Sequence, residues 1–232
     1  SEVVLDVAIA ESATGQALLV VVHEDYLEVM DNEQATVGFE APGEVFSLVA
    51  ASGQLVAWAD GTSSSPTVNV TSISGSISIS LVLDARASAD EDEFLEEISG
   101  IAVDYSHAEV IDMDMDPSWV VAVVDVGPVN RTVLVNILTG EQSVLSDPKW
   151  ESSSPSVAHG RVAFLQIPGW DPSLDPEEVA TARDVYLHDI EANTTLAITH
   201  DEDVDQLDPQ VLLEDVAWVE VDSDGTSVLK VY

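Results

Sequence analysis

Apolar and polar positions alternate along most of the chain. The pattern runs through EVVLDVAIA (2–10), ALLVVV (17–22), YLEVM (26–30), QLVAWA (54–59) and VNVTSISGSISISLVL (68–83). It continues in WVVAVV (119–124), TVLVNI (132–137), RVAFLQ (161–166), DVYLHDI (184–190) and DVAWVEV (215–221). A two-residue period in short β-branched runs, bounded by Gly, Pro, Asp and Ser, predicts strands with one face turned to a core. Only SADEDEFLEEISG (88–100) carries a helical pattern, with Ser88 as its cap and acids in its first turn. The expected fold class is all-β.

Aligning the strands reveals an internal repeat. NILTGEQSVLS (136–146) lies over DIEANTTLAIT (189–199) at a constant shift of 53, so that Gly140 meets Asn193. Those two residue types accept a left-handed turn position most readily. Further on, Pro155-x-Val157 and Val162-Ala163-Phe164 lie over Pro209-x-Val211 and Val216-Ala217-Trp218 at a shift of 54. The Val-Ala-aromatic strand recurs as Val56-Ala57-Trp58, more weakly as Val121-Ala122-Val123, and without its aromatic at Leu18 to Val22. One such unit cannot cover both faces of its own sheet, whereas a ring of stacked units can. Five units in 232 residues give roughly 46 residues each, the size of a four-stranded propeller blade. The last unit stops after three strands, and an extra strand opens the chain. The expectation is a β-propeller of five blades of four antiparallel strands, closed by the N-terminal strand completing the last blade. It forms a single domain over 1–232 with insertions at 84–105 and 167–183.

DVYLHDIEANTTLAIT followed by QLDPQVLLEDVAWVE (184–220) resembles the repeat of TolB-like, WD40-like β-propellers. The shared elements are a D-V-Y-x-x-D-I strand, a turn, a strand ending in Thr, then Q-x-x-P-x-V and V-A-W. The resemblance extends more loosely over 132–166 and leaves the blade number open. It implies a platform for interactions, extracellular or periplasmic, whose repeat residues are structural. No catalytic residue carries over.

Charge changes the picture of the surface. The chain has 44 acidic and 6 basic residues, a formal net charge of −38, with 46% hydrophobic residues. Charge of that size alone would suggest disorder, but the apolar fraction is enough for a core. Most carboxylates lack a cationic partner, so the folded surface repels itself unless salt screens it. Scarce Lys, abundant Asp and Glu, and a Val- and Ala-rich core resemble proteins of salt-loving archaea. The competing reading is an acidic surface protein loaded with calcium. Nucleic acid is not expected as a partner, since phosphate binding needs a basic stripe. No apolar run approaches the roughly 20 residues of a membrane-spanning helix. With no cysteine, disulfides and thiolate metal sites are excluded. No leader pattern is visible, and Ser1 in place of Met points to processing or trimming.

Candidate chemistry is sparse. Asp201, Asp203 and Asp205 in THDEDVDQLDPQ (199–210) match the first three ligand positions of an EF-hand loop, but Gln206 replaces its Gly and Leu212 its bidentate Glu. A blade connector or an irregular site for Ca2+ or a monovalent cation remains. On a strand, DMDMD (112–116) sets Asp112, Asp114 and Asp116 on one face and Met113 and Met115 on the other, giving a wet channel face or a second cation site. No cofactor is required by any motif. Trp119, Trp150 and Trp170 fall in or beside loops and are candidate anchors for a partner protein or surface glycan. Asn69, Asn130 and Asn193 open glycosylation sequons. The five histidines lack metal-ligand spacing, and no nucleophile or phosphate-loop motif is present. The expected function is a non-catalytic binding or assembly module of a halophile, exported or displayed at the cell surface. The alternatives are a structural subunit of an envelope, filament or virus particle, and a glycoside hydrolase using funnel carboxylates. The cytoplasm of a salt-accumulating cell is a further address.

Overall fold

A computed structural model describes residues 4–11, 16–23, 26–31, 34–40, 46–60, 65–74, 76–86, 90–93, 96, 103, 105–167, 182–200 and 204–232. Its strands form five antiparallel meanders in chain order. The first contains β1 (Val4–Glu11), β2 (Ala17–His23), β3 (Tyr26–Asp31) and β4 (Gln34–Glu40), and the second β5 (Phe46–Ser52), β6 (Leu55–Asp60), β7 (Thr67–Ser72) and β8 (Ser78–Val82). The third contains β9 (Glu109–Met115), β10 (Trp119–Asp125), β11 (Asn130–Asn136) and β12 (Gln142–Val144). The fourth is β13 (Ser152–Ala158), β14 (Arg161–Gln166), β15 (Asp184–Asp189) and β16 (Thr194–Ala197); the fifth has three strands, β17 (Asp205–Leu212), β18 (Asp215–Val221) and β19 (Ser227–Val231). The first strands pack in succession, β1 on β5, β5 on β9, β9 on β13 and β13 on β17, which is the inner wall of a propeller.

The second strands β6, β14 and β18 carry the Val-Ala-aromatic repeat, and its alternation explains how those sheets stack. In β10 the expected Val121-Ala122-Val123 copy is one residue out of step, since Ala122 faces the preceding sheet and Val121 the following one. Val56 and Trp58 face the first sheet, while Ala57 and Ala59 face the third. Val162 and Phe164 face the third sheet, while Ala163 and Leu165 meet Val211, Val216 and Trp218 of the fifth. The large residue of one sheet thus fills the space left by small residues of its neighbour.

The Pro-x-Val motif also has a structural meaning. The ladder is interrupted between Ser153 and Ser156 in β13 and between Leu207 and Gln210 in β17. Ser154 and Asp208, each just before the proline, adopt φ of 50° and 46°. Beyond each bulge a backbone N–H turns to the preceding sheet. Val157 donates to Asp114 Oδ2 at 2.8 Å and Val211 to Ser156 Oγ at 3.2 Å. At the start of the chain Val49 donates to Asp6 Oδ2 at 2.9 Å in the same way.

The closing strand expected from the sequence is corrected. β1 pairs with β2 from Val4↔His23 to Glu11↔Ala17, and is the inner strand of the first sheet rather than the outer strand of the last. Ala8 and Ala10 pack toward the second sheet and Asp6 bonds to its backbone, which fixes β1 at that place. Among the described residues, no strand of the first sheet packs against the fifth as neighbouring sheets pack. The five blades follow one another as an arc among the described residues.

Candidate functional site

Asp112 accepts the Ser154 N–H and Asp114 that of Val157, so β9 and β13 run side by side in the same direction. With strands alternating in each meander, the link from the second to the third strand and the link to the next sheet leave from one end, here the loop end. The link between β8 and β9 and that between β14 and β15, the longest two, both emerge there. At the opposite, hairpin end the turns are short.

The loop end is pinned by charge and hydrogen bonds. Arg131, near the start of β11, has no exposed surface. Its Nη1 donates to Ala85 O at 2.8 Å and to the Tyr105 hydroxyl, its Nη2 to Asp92 Oδ1 at 2.9 Å, and its Nε to Pro148 O at 3.3 Å. Tyr105 in turn donates to Asp92. Asp92 lies in the short helical stretch at 90–93, so the predicted insertion is tied to the third sheet through one guanidinium. A cleft of about 350 Å³ lies alongside, lined by Ser65, Asp84, Arg86, Tyr105 and Gln142 among others.

A second pair of contacts follows the repeat. Asn130, opening β11, donates its backbone N–H to Glu151 Oε2 at 3.1 Å and its Nδ2 to Oε1. One unit later Arg183, just before β15, donates its backbone N–H to Asp205 Oδ1 at 3.1 Å, with Nε and Nη2 at 2.9 and 2.6 Å from that carboxylate. These pairs stand at the same shifts, 53 and 54, as the repeat itself. The same latch joins a third strand to the next inner strand, once with a neutral partner and once with a cation. Burial pushes Glu151 up to about 7; the Asn130 N–H lowers it and Asp125 raises it further. Asp205 instead raises the Arg183 pKa through its hydrogen bond.

At the hairpin end a cleft of about 610 Å³ opens between the inner strands, lined by Asp114, Asp116, Trp119, Ser156, His159 and Gln210 among others. Asp112 and Asp114 share one face of β9 and Met113 and Met115 are buried on the other, while Asp116 lies beyond the strand in the turn to β10. Burial raises the pKa values of Asp112 and Asp114, opposed by the N–H donors they receive from the next sheet. Asp116 Oδ1 caps the turn by accepting from Ser118 and Trp119 N–H at 2.7 and 2.9 Å.

The structure brings few of the sequence candidates together. Among the described residues no three His, Asp or Glu side chains converge in an arrangement that could hold a metal ion. Asp205 is engaged by Arg183, while Asp201 and Asp203 lie outside the described residues. Trp119 and Trp150 are half-buried at opposite ends of the blades, and Trp170 lies outside the described residues. Asn69 is half-buried and accepts from Ser80 Oγ, Asn130 serves the Glu151 latch, and Asn193 is exposed in its turn at φ 51°. Sequence reasoning missed Arg131, Asp92, Tyr105 and Glu151. The available signal was an arginine inside an apolar strand of a chain with only 6 basic residues.

No protein-family model and no curated protein matches the chain. Solved structures do. A putative TolB from Agrobacterium tumefaciens matches with a TM-score of 0.56 at 10% identity, over 97% of this chain and 75% of that one. The Dos1 propeller matches at 0.52 and 14% identity, over 98% and 55% of the two chains. A puromycin-hydrolyzing peptidase from Mycobacterium tuberculosis matches at 0.54 and 11% identity, over 98% of this chain and 36% of its own. The chain therefore has a TolB-like β-propeller fold. It spans about three quarters of the TolB and about half of the Dos1 propeller.

Proposed function

We propose that this chain is a non-catalytic propeller module that binds a partner protein or a surface glycan at its loop end, in molar salt, exported or at a cell surface. The observation that carries this reading is that both long links leave from one end, one of them anchored by the buried Arg131. Loops on a rigid scaffold are where binding is grafted. The acidic composition supports a salt-rich setting, since screening removes the self-repulsion of a −38 chain. A hydrolase would need two carboxylates free to act on one bond, and both oxygens of Glu151 are held by Asn130.

The test replaces residues 168–181 with a Gly-Ser linker. Wild type and variant are compared for capture of envelope proteins and polysaccharides in about 2 M KCl. Capture lost by a variant with an unchanged thermal transition supports the reading. Equal capture by both refutes it, and turnover of a glycoside abolished by Asp112→Asn or Asp114→Asn on the inner strand β9 would install the hydrolase in its place. Thermal scans separate the two readings of the acids: a transition restored only by KCl supports halophily, and a midpoint raised by millimolar CaCl2 alone supports a calcium-loaded surface.

A further inference from the structure

Three asparagines open Asn-x-Thr sequons, Asn69, Asn130 and Asn193, and the fold treats them differently. A sequon serves as a modification site where the amide nitrogen is free to react and a bulky sugar chain has an exit to solvent.

The first two do not meet both conditions. Asn69 lies in mid-strand on β7, between Trp58 of β6 and Ser80 of β8, on the face that Trp58 turns to the first sheet. Its Oδ1 accepts the Ser80 hydroxyl. Thr71 of the same sequon is buried, and its Oγ1 donates to Ile77 O at 2.8 Å. At Asn130 the amide nitrogen is itself the donor to Glu151, and the next two residues, Arg131 and Thr132, have no exposed surface. A sugar on that nitrogen has to fit between β11 and Glu151.

Asn193 meets both conditions. It sits in the turn between β15 and β16, where Glu191 to Leu196 form an unbroken exposed run. The turn is fixed by other groups: Ile190 N–H donates to Gly160 O at 2.9 Å, and Ala192 N–H to Asp189 Oδ1 at 2.8 Å. Among the described residues no hydrogen bond engages the Asn193 carboxamide. The position asks for left-handed backbone, which Gly140 supplies in the third sheet, and asparagine supplies it here while adding an accessible amide. Thr195, the hydroxyl residue of the sequon, is exposed, with Oγ1 2.9 Å from His188 Nδ1.

The geometry points to Asn193 as a site of N-linked glycosylation, with a lipid-linked sugar phosphate as the donor. Asn193 Nδ2 forms a bond to the anomeric carbon of the sugar, and the bond from that carbon to the phosphate oxygen breaks. The lipid phosphate leaves with the electron pair, and one amide proton passes to a base of the transferase. β16 is the outermost strand of its sheet, so the glycan emerges from the outer rim of the hairpin end and leaves the loop end uncovered. This inference rests on the exported address proposed above and not on partner binding at the loop end.

The test is peptide mass spectrometry of the full chain, exported behind a host leader by a glycosylating, salt-adapted host and recovered from the medium. A glycoprotein of the same host is the control. Trypsin cuts after Arg and Lys, which places the three sequons in separate peptides, 1–86, 87–131 and 184–230. The expected result is a sugar mass on 184–230 and none on the other two. Asn193→Gly keeps the left-handed turn and is expected to abolish the modification with an unchanged thermal transition. Thr195→Ser is expected to retain it and Thr195→Val to lose it, as for a sequon read through its hydroxyl. An unmodified 184–230 beside a modified control overturns the proposal. So does a sugar on 1–86 or 87–131 in its place, or one that survives Asn193→Gly. Loop-end capture by Asn193→Gly is expected to equal that of wild type, so either reading can fall without the other.

Discussion

The fourth and fifth sheets share a sequence pattern, a cross-strand register and a bulged inner strand, yet the same face is core in one and surface in the other. Val185 and Leu229 occupy the same place on their third strands; only the neighbour differs. Alternation tells which side chains a strand offers for burial, and the next blade decides whether they are buried. In a fold of stacked repeats this is the nearest-neighbour term of stability. The contrast is broken most directly by charge. Val185→Asp places an unpaired carboxylate between two sheets and is expected to cost more than about 5 kcal/mol. Leu229→Asp is expected to stay within about 0.5 kcal/mol for the monomer. Urea unfolding in molar KCl measures both. A large cost at Leu229 under conditions where the protein is monomeric would show that this face of the fifth sheet is covered after all.

The ion pairs extend the comparison between covered and open surroundings. Arg131 has no exposed surface and Asp92 is its one carboxylate partner among the described contacts. Asp92→Ala leaves a buried cation uncompensated, with an expected cost of about 3–5 kcal/mol. Arg183 and Asp205 are each about one third exposed. Screening by solvent there limits the loss on Arg183→Ala to about 0–1 kcal/mol.

Much of this architecture was legible in the sequence because the repeat encodes contacts made in every blade. Pro155-x-Val157 and Pro209-x-Val211 mark the bulges that send a backbone N–H to the previous sheet, and Val-Ala-Trp marks a strand buried on both faces. The arc's ends were not legible, since β1 reads as a strand equally well as the first inner strand or as a closing one. The pairing of β1 with β2, the packing of Ala8 and Ala10 and the bond from Val49 to Asp6 decide between them. The partner of Asp205 was not legible for a related reason: Arg183 is 22 residues away and meets it where the fourth and fifth sheets pack together. Arg131 was hidden because its partners come from an insertion and a connector that carry no repeat signal.

The two latches sharpen the comparison through pH. Glu151 titrates at about 7 in the folded chain against an ordinary value of 4.5. Between those values the native state holds more protons than the unfolded one, so stability falls as pH rises through that window. Below pH 4.5 the residue contributes nothing, and above about 7 the full penalty applies, up to about 3 kcal/mol. Glu151→Gln is expected to flatten this part of the pH profile, measured by unfolding at fixed KCl. Asn130→Arg imports the cationic partner that Arg183 provides in the next unit, and is expected to lower the Glu151 titration. A profile unchanged by either variant would mean that Glu151 is solvated.

The turns, where the repeats differ by one residue type, test the comparison on the backbone alone. Gly140 and Asn193 both take left-handed backbone, with φ of 71° and 51°. The flanking carboxamide and carboxylate do equivalent work: Asn136 Oδ1 accepts from Leu138 and Thr139 N–H, and Asp189 Oδ1 accepts from Ala192 N–H. A Cβ at Gly140 meets nothing within 4 Å, so Gly140→Ala tests the backbone term alone and is expected to cost about 1–2 kcal/mol. Asn193→Gly, on an exposed turn that already tolerates this conformation, is expected to change stability by only a few tenths of a kcal/mol. Equal responses at the two positions would mean that the turns of the two blades are not equivalent in solution, despite the shared shift that aligns them.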